Sequence, residues 1–152
     1  MIMNSDEDYM NLALEEAKKA EAAGEVPVGA ILVLAGSVIG RGFNQPITAH
    51  DPTAHAEIVA LREAALRQGN YRLSTATMYC TVEPCVMCAG AMVHARIARL
   101  VFGTPDPKAG AAGSIYNVMT DPRLNHRVDV VSGVCEDACA TLLREFFARR
   151  RE

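Results

Sequence analysis

The sequence predicts an α/β domain built from layers of helices and a partly parallel sheet. Segments of helical and strand character alternate along its 152 residues, and no internal repeat or linker separates them. Half of the residues are hydrophobic and 22% are charged, a composition that excludes a disordered chain and allows a sizeable core without disulfide bonds. We therefore expect residues 1–152 to form a single domain.

The first third of the chain predicts one helix and two strands. Ser5 is suited to cap the helix, Asp8 completes a capping-box-like pair three residues later, and Gly24 ends the helix. The nearly continuous apolar run at 28–34 has the length of a strand, and a turn then leads to a second strand at 38–43.

The middle of the chain predicts two helices on either side of a central strand. Residues 44–52 are polar and contain two prolines, so we expect a loop there, followed by a helix from 52 or 53 to 68. Residues 77–82 predict a short central strand. Pro84 fits the first turn of a third helix that continues to about residue 95, because its missing N–H costs nothing there.

The last third predicts two strands and a final helix. Strands are expected at 99–103 and 128–131, and the segment 104–114 between them is rich in Pro and Gly, which favours a loop. An amphipathic helix is expected at 136–149.

The residues best suited to chemistry are His55-Ala56-Glu57 and, about thirty residues later, Pro84-Cys85-Val86-Met87-Cys88. One imidazole and two thiolates leave the fourth position of a tetrahedral zinc open, as a catalytic zinc requires for its water. Cys-x-x-Cys alone is compatible with redox chemistry or structural zinc. The preceding proline and the upstream His-x-Glu complete the signature of zinc-dependent nucleobase deaminases. We therefore expect one Zn²⁺ per subunit on His55, Cys85 and Cys88, with Glu57 transferring protons.

The charge of the chain is unevenly distributed. Residues 1–71 carry 5 Lys/Arg and 10 Asp/Glu, whereas residues 72–152 carry 10 and 8 and end in a run of three arginines, 149–151. A local basic face for nucleic acid is therefore compatible with the net charge of −3. The alternative for the arginines is a solvated helix end favoured by its dipole.

Several features predict a soluble cytoplasmic protein. No apolar run approaches the roughly 18 residues of a membrane span. The acidic N-terminal segment lacks the basic and apolar regions of a signal peptide. Five cysteines, an odd number, fit a reducing compartment better than a disulfide scaffold.

Beyond the zinc motif, the chain closely resembles the bacterial tRNA-specific adenosine deaminase (TadA) family over nearly its whole length. Two of the matching segments, 108–114 and 125–128, favour this family over its cousins because they lie outside the chemistry shared by all zinc deaminases. The matching segments are Glu25–Ala30, Gly42–Asn44, His50–Ile58, Asn70–Leu73, Glu83–Met92, Lys108–Ser114 and Asn125–Val128.

The resemblance implies a cytidine-deaminase-like fold, a three-layer α/β/α sandwich around a five-stranded mixed sheet. It implies a homodimer that converts adenosine to inosine at the wobble position (34) of a tRNA anticodon and releases ammonia. Pro105 departs from the family pattern, which often has a basic residue there, and Pro107 stiffens the same loop. The substrate or RNA contacts that the resemblance implies are Asn44, Ala56, Pro84, Asp106, Lys108, Asn125, His126, Arg127, Phe146 and Phe147.

Other interpretations use the same residues differently. A deaminase of a free base or nucleoside, such as guanine or cytosine, would share the zinc chemistry but need no basic RNA face. A zinc-stabilised RNA-binding module without activity would have no use for Glu57, and a thiol–disulfide protein would use the two cysteines without zinc. Asn44 bonded to its own backbone, and Phe146 and Phe147 as core residues, are the structural alternatives to substrate contact.

Overall fold

A five-stranded sheet forms the centre of the protein in this computed structural model, which describes residues 4–151. The strands are β1 (Gly29–Leu34), β2 (Ser37–Phe43), β3 (Thr77–Val82), β4 (Arg99–Thr104) and β5 (Asp129–Ser132). They follow the spatial order β2-β1-β3-β4-β5, with β1 antiparallel to both neighbours and β3, β4 and β5 parallel to one another. The predicted mixed sheet and the central position of the third strand are confirmed.

Helices cover both faces of the sheet. The helices are α1 (Asp6–Ala22), α2 (Pro46–Ala49), α3 (Ala56–Gln68), α4 (Val86–Ala95) and α5 (Glu136–Arg150). Alternate residues of β1 point to opposite faces: Leu32 belongs to the core under α3 and α4, and Ile31 to the core under α1 and α5. The three-layer α/β/α arrangement is therefore confirmed. None of the helices within residues 4–151 is long and apolar enough to cross a membrane.

The start of α1 agrees with its predicted cap. The Ser5 side chain accepts the backbone N–H of Asp8 at 3.2 Å, and the Asp8 carboxylate accepts the backbone N–H of Ser5 at 3.0 Å. This reciprocal pair satisfies two of the amide groups that a helix N-terminus leaves without partners.

The start of α3 differs from its prediction at 52 or 53. Asp51 accepts the backbone N–H and the hydroxyl of Thr53 at 2.8 and 2.7 Å, which turns the chain before the helix begins. His55 is the N-cap and Ala56 the first helical residue. The segment 44–52, predicted as a loop, also contains the short helix α2.

The start of α4 also differs from its prediction at Pro84. Cys85 is the N-cap, with an extended backbone (φ −75°, ψ 175°), and Val86 is the first helical residue. Pro84 therefore precedes the helix instead of occupying its first turn. The remaining predicted strands and the final helix agree with the structure to within one residue at each end.

β2, β3 and β4 all end along the same edge of the sheet, an edge that runs across the strands and not along one of them. Gly29 at the start of β1 pairs with Phe43 at the end of β2, and Val82 at the end of β3 pairs with Thr104 at the end of β4. Because β1 runs antiparallel to β3, the segments that follow β2, β3 and β4 all leave the sheet at this edge. Open α/β sheets bind their ligands outside the carboxyl ends of parallel strands.

Two glycines of β2 allow α3 to pack unusually close to the sheet. A Cβ on Gly40 would lie 2.2 Å from the carbonyl oxygen of Ala60, and a Cβ on Gly42 would lie 2.1 Å from that of Ala56. Any larger residue would push the helix away. The N-terminus of α3 is thus held beside the end of β2, at the edge where the strand ends gather.

Candidate metal centre and active site

The predicted metal ligands meet at this edge of the sheet. His55 Nδ1 lies 3.5 Å from Cys85 Sγ and 3.5 Å from Cys88 Sγ. The ligand atoms of the three residues all lie within 4.8 Å of one another. One imidazole and two cysteine sulfurs within this distance form a donor set that suits zinc.

The N-termini of α3 and α4 both point at this group. His55 and Cys85 are the N-caps of the two helices, and neither side chain caps its own helix. The side chains are therefore free to face the shared site, where the partial positive charge of two helix ends favours thiolates.

The two thiols respond differently to this environment. The hydrogen bond from Cys88 is the largest cause that lowers the pKa of Cys85 to about 3, with a further contribution from His55. Donating that hydrogen bond, together with burial, raises the pKa of Cys88. Because ligating thiols are deprotonated, zinc binding at this site would release thiol protons. The donor chemistry therefore fits the predicted zinc.

Glu57 lies in the first turn of α3, two residues after His55, and is only 4% exposed. Burial raises its pKa to about 7, although its own backbone N–H and the nearby His55 favour the charged form. A carboxyl group with a pKa near neutrality can both accept and return a proton at physiological pH. Glu57 is thus suited to the predicted proton transfer.

Two buried glutamates at this edge were not predicted as functional residues. Glu25 is 1% exposed and accepts the backbone N–H groups of Ile47 and Thr48 at 3.3 and 2.6 Å, which fixes α2. Glu83 is 3% exposed and immediately precedes Pro84. Their only sequence signal is that each is a carboxylate next to an apolar strand, within a segment that matches the resembling family.

Asn44 and Pro84, two of the predicted substrate contacts, lie at the metal site's edge of the sheet. Asn44 directly follows β2 and is half-buried, and its backbone N–H donates to the carbonyl of Val28 at 3.0 Å. The Pro84 carbonyl accepts the backbone N–H of Ala111 at 2.8 Å. Ala56 is fully buried at the first position of α3, so only its backbone is available to a substrate.

Asp106 and Lys108 follow β4 and reach the same edge. The Asp106 carboxylate accepts the backbone N–H groups of Lys108 and Ala109 at 3.1 and 3.2 Å, so it caps a tight turn. Lys108 is exposed on that turn. These two residues therefore stand at the rim of the site rather than inside it.

Residues 125–127 lie away from the metal site. They precede β5, whose first residue, Asp129, pairs with Arg99 at the start of β4. The His126 Nε2 atom donates to the carbonyl of Ile97, two residues before β4, at 2.7 Å. Asn125, His126 and Arg127 are thus at the sheet edge opposite the metal site.

The end of α5 returns to the metal-site edge. Arg149 pairs with Glu21 at 2.6 Å, and Arg150 donates to the carbonyl of Gly24, shortly before β1. Phe146 is buried at 6% exposure, whereas Phe147 is 44% exposed. Phe146 is therefore a core residue, and Phe147 is the exposed member of the pair.

The chain is similar to known deaminases in sequence and in fold. Residues 3–104 match the cytidine and deoxycytidylate deaminase zinc-binding region. The tRNA-specific adenosine deaminase of Haemophilus influenzae is 54% identical over 148 residues, which cover 97% of this chain and 86% of the relative.

Two solved structures superpose closely on this chain. One comes from studies of A-to-I editing by tRNA:A34 deaminases at the wobble position of transfer RNA. It has a TM-score of 0.86 and 47% identity, and the match covers 89% of this chain and 98% of that one. The other is a guanine deaminase from Nitrosomonas europaea, with a TM-score of 0.84 and 26% identity over 97% of this chain and 87% of that one.

Proposed function

Because the chain belongs to the tRNA-specific adenosine deaminase family of the cytidine and deoxycytidylate deaminases, we propose that it hydrolyses adenosine 34 of a tRNA anticodon to inosine and releases ammonia. The observation that carries this proposal is the group of His55, Cys85 and Cys88 beside the buried Glu57. A structural zinc site or a redox pair has no use for a buried carboxyl group with a pKa of about 7.

We propose that each subunit holds one Zn²⁺ on His55, Cys85 and Cys88. When bound, the metal supplies Lewis-acid activation of the attacking water. The chain supplies the rest: the helix N-termini favour the two thiolates, and the turn at Asp51 and Thr53 orients His55 toward them.

Glu57 then moves the protons of the reaction. Its carboxylate takes a proton from the attacking water and delivers it to N1 of the adenine ring as the water oxygen bonds to C6. In the second half, Glu57 takes the remaining proton from the C6 hydroxyl and gives it to the exocyclic nitrogen, the C6–O bond becomes a carbonyl as the C6–N6 bond breaks, and ammonia leaves. Burial raises the pKa of Glu57 above that of an ordinary carboxyl group, which favours a residue that both takes and gives protons.

The residue proposed to contact the target base lies at the metal-site edge of the sheet. Asn44 would hydrogen-bond the purine edge, since its amide both donates and accepts. An anticodon loop presents bases that are cheaper to extract than those of a duplex, as chemistry at C6 requires. The RNA around the target nucleotide would be contacted by Lys108, Phe147 and the arginines that end α5. More distant RNA would be contacted by Asn125, His126 and Arg127, because these three residues lie at the edge of the sheet opposite the metal site.

We also propose that the single domain forms a homodimer in the cytoplasm. An apolar groove of about 380 Å³ lies between α3 and α4, and Tyr71 at its side is 66% exposed. A second copy of this chain would bury that surface. Sedimentation of the purified protein at micromolar concentration tests the dimer, and a purely monomeric species would contradict it.

The competing function is deamination of a free base, which the likeness to guanine deaminase favours. The test incubates the zinc-loaded protein with an adenosine-34 anticodon stem–loop and, separately, with adenosine, guanine and cytosine, and assays inosine, xanthine, uracil and ammonia. Inosine formed only in the RNA establishes tRNA deamination. Xanthine from guanine with inert RNA would keep the zinc chemistry and overturn the substrate.

A further inference from the structure

The Glu83 carboxylate is a buried anion that the proposed chemistry does not use. It lies between the end of β3 and the metal-ligand segment, and its backbone N–H donates to the carbonyl of Thr104 at 2.9 Å. The side chain points into the loop that follows β4. It accepts the backbone N–H groups of Asp106 at 3.0 Å, Ala112 at 2.9 Å and Ser114 at 3.0 Å, and also the Ser114 hydroxyl.

The loop is built around this carboxylate. The backbone N–H of Ala111 donates to the carbonyl of Pro84 at 2.8 Å, and that of Gly110 donates to the carbonyl of Asp106 at 2.8 Å, which closes the loop on itself. A Cβ on Gly110 would lie 2.3 Å from the carboxyl carbon of Glu83. The backbone thus approaches the anion as closely as only glycine permits.

We propose that Glu83 is a positioning residue for RNA binding, whose carboxylate orders residues 106–114 and so fixes Asp106 and Lys108 at the rim of the active site. This inference rests on the proposed tRNA substrate. Glu83 is not part of the metal-ligating group, and both of its carboxylate oxygens are engaged by the loop, through which it acts. Only Pro84 separates it from Cys85, so the same short segment fixes the metal ligand and the RNA-facing loop.

The hydrogen bonds to the loop require a side chain that carries only acceptors, as well as one of the size of Glu83. Its two oxygens accept four donors from the loop, and a carboxylate can do so because it carries only acceptors. A glutamine has one acceptor oxygen, and its NH₂ group would face backbone N–H groups. Glu83→Gln therefore keeps the shape of the side chain but loses the hydrogen bonds that one of the two carboxylate oxygens accepts.

The experiment compares Glu83→Gln with Ser114→Ala and Gly110→Ala, which disturb the same contact from the loop side, one at an exposed and one at a buried position. Glu16→Gln is the matched control, since Glu16 is equally buried, at 3% exposure, but lies on α1 paired with Lys19. Zinc content, hydrogen exchange of the amides of residues 106–114, and KM and kcat on the adenosine-34 stem–loop are measured for each protein.

For Glu83→Gln we expect full zinc, faster exchange at Asp106, Ala112 and Ser114, and a KM raised about tenfold with kcat within about threefold, the pattern of lost substrate binding. The two loop variants should change in the same direction, and Glu16→Gln should match the wild type. Unchanged exchange in Glu83→Gln, or a fall in kcat at unchanged KM, would overturn the inference. If the wild type itself is inert on RNA, the proposed function fails, and the exchange data still decide whether Glu83 orders the loop.

Discussion

The Nδ1 atom of His55 lies 3.5 Å from the Sγ atom of Cys88, although the two residues are 33 positions apart in the chain. The contact exists because α3 and α4 both begin at the same edge of the sheet, one held against β2 by glycines and the other following β3 directly. The site therefore forms where two helices start, and its geometry depends on the positions of the N-termini of α3 and α4.

Replacing Glu57 with Gln should abolish turnover without removing the metal. The amide keeps the size of the side chain but cannot take or return a proton, so kcat on the stem–loop should fall by at least about 10²-fold. Zinc content and far-UV circular dichroism should match the wild type. Turnover at the wild-type rate would show that another group transfers the protons.

Replacing Cys85 with Ala should remove zinc and activity together. Two ligands in place of three leave the metal weakly held, so we expect far less than one equivalent of zinc by metal analysis. Cys135→Ser is the control, because Cys135 is also a half-buried helix N-cap but begins α5. Stoichiometric zinc in Cys85→Ala, or its loss in Cys135→Ser, would contradict the assigned ligands.

The grouping of His55, Cys85 and Cys88 could be predicted from the sequence because its signal is local. Pro-Cys-x-x-Cys fixes two thiols on one helical turn, and His-x-Glu fixes an imidazole and a carboxyl group two residues apart. The same patterns did not predict the first residues of α3 and α4. The turn between Asp51 and Thr53 moves the start of α3 to a later residue, and Cys85 adopts an N-cap conformation that its residue type does not indicate.

The structural roles of Glu25 and Glu83 could not be predicted from the sequence. Most of their partners are backbone N–H groups 22 to 31 residues away, and a backbone donor is the same at every non-proline position. No pattern of side chains therefore marks the contact. The opposite placement of residues 125–127 also depends on the register of β5 against β4, which only the sheet reveals.

The ion pair between Asp6 and Arg99 should make stability depend on pH. Arg99 donates to both carboxylate oxygens at 2.9 and 2.5 Å, and the Tyr79 hydroxyl donates at 2.7 Å. The hydrogen bond from Arg99 is the main cause that lowers the pKa of Asp6 below its ordinary value of 3.8. The stabilisation is fully present above that ordinary value and is lost as the pH falls through the lower, folded-state pKa.

The measurement for this pair is chemical denaturation of Asp6→Asn and the wild type at pH 7 and near pH 3. At pH 7 the variant should lose about 1 kcal/mol of unfolding free energy, a modest value because both partners are about a third exposed. The difference should narrow at the lower pH. Asp121→Asn, in a pair confined to one exposed turn with Arg123, should change less. An equal loss at both pH values would show that charge is not the cause.

Replacing Gly42 with Ala should disturb the metal site from a distance. The new methyl group would lie 2.1 Å from the Ala56 carbonyl, so α3 must move away from β2, and overpacking of this kind costs about 1–3 kcal/mol. His55 and Glu57 move with the start of α3, so we expect lower zinc occupancy as well as a lower melting temperature. Gly90→Ala is the control, because a Cβ there meets no atom within 4 Å and Ala favours the helix. A Gly42→Ala protein with wild-type stability and full zinc would show that the close approach of β2 does not position the ligands.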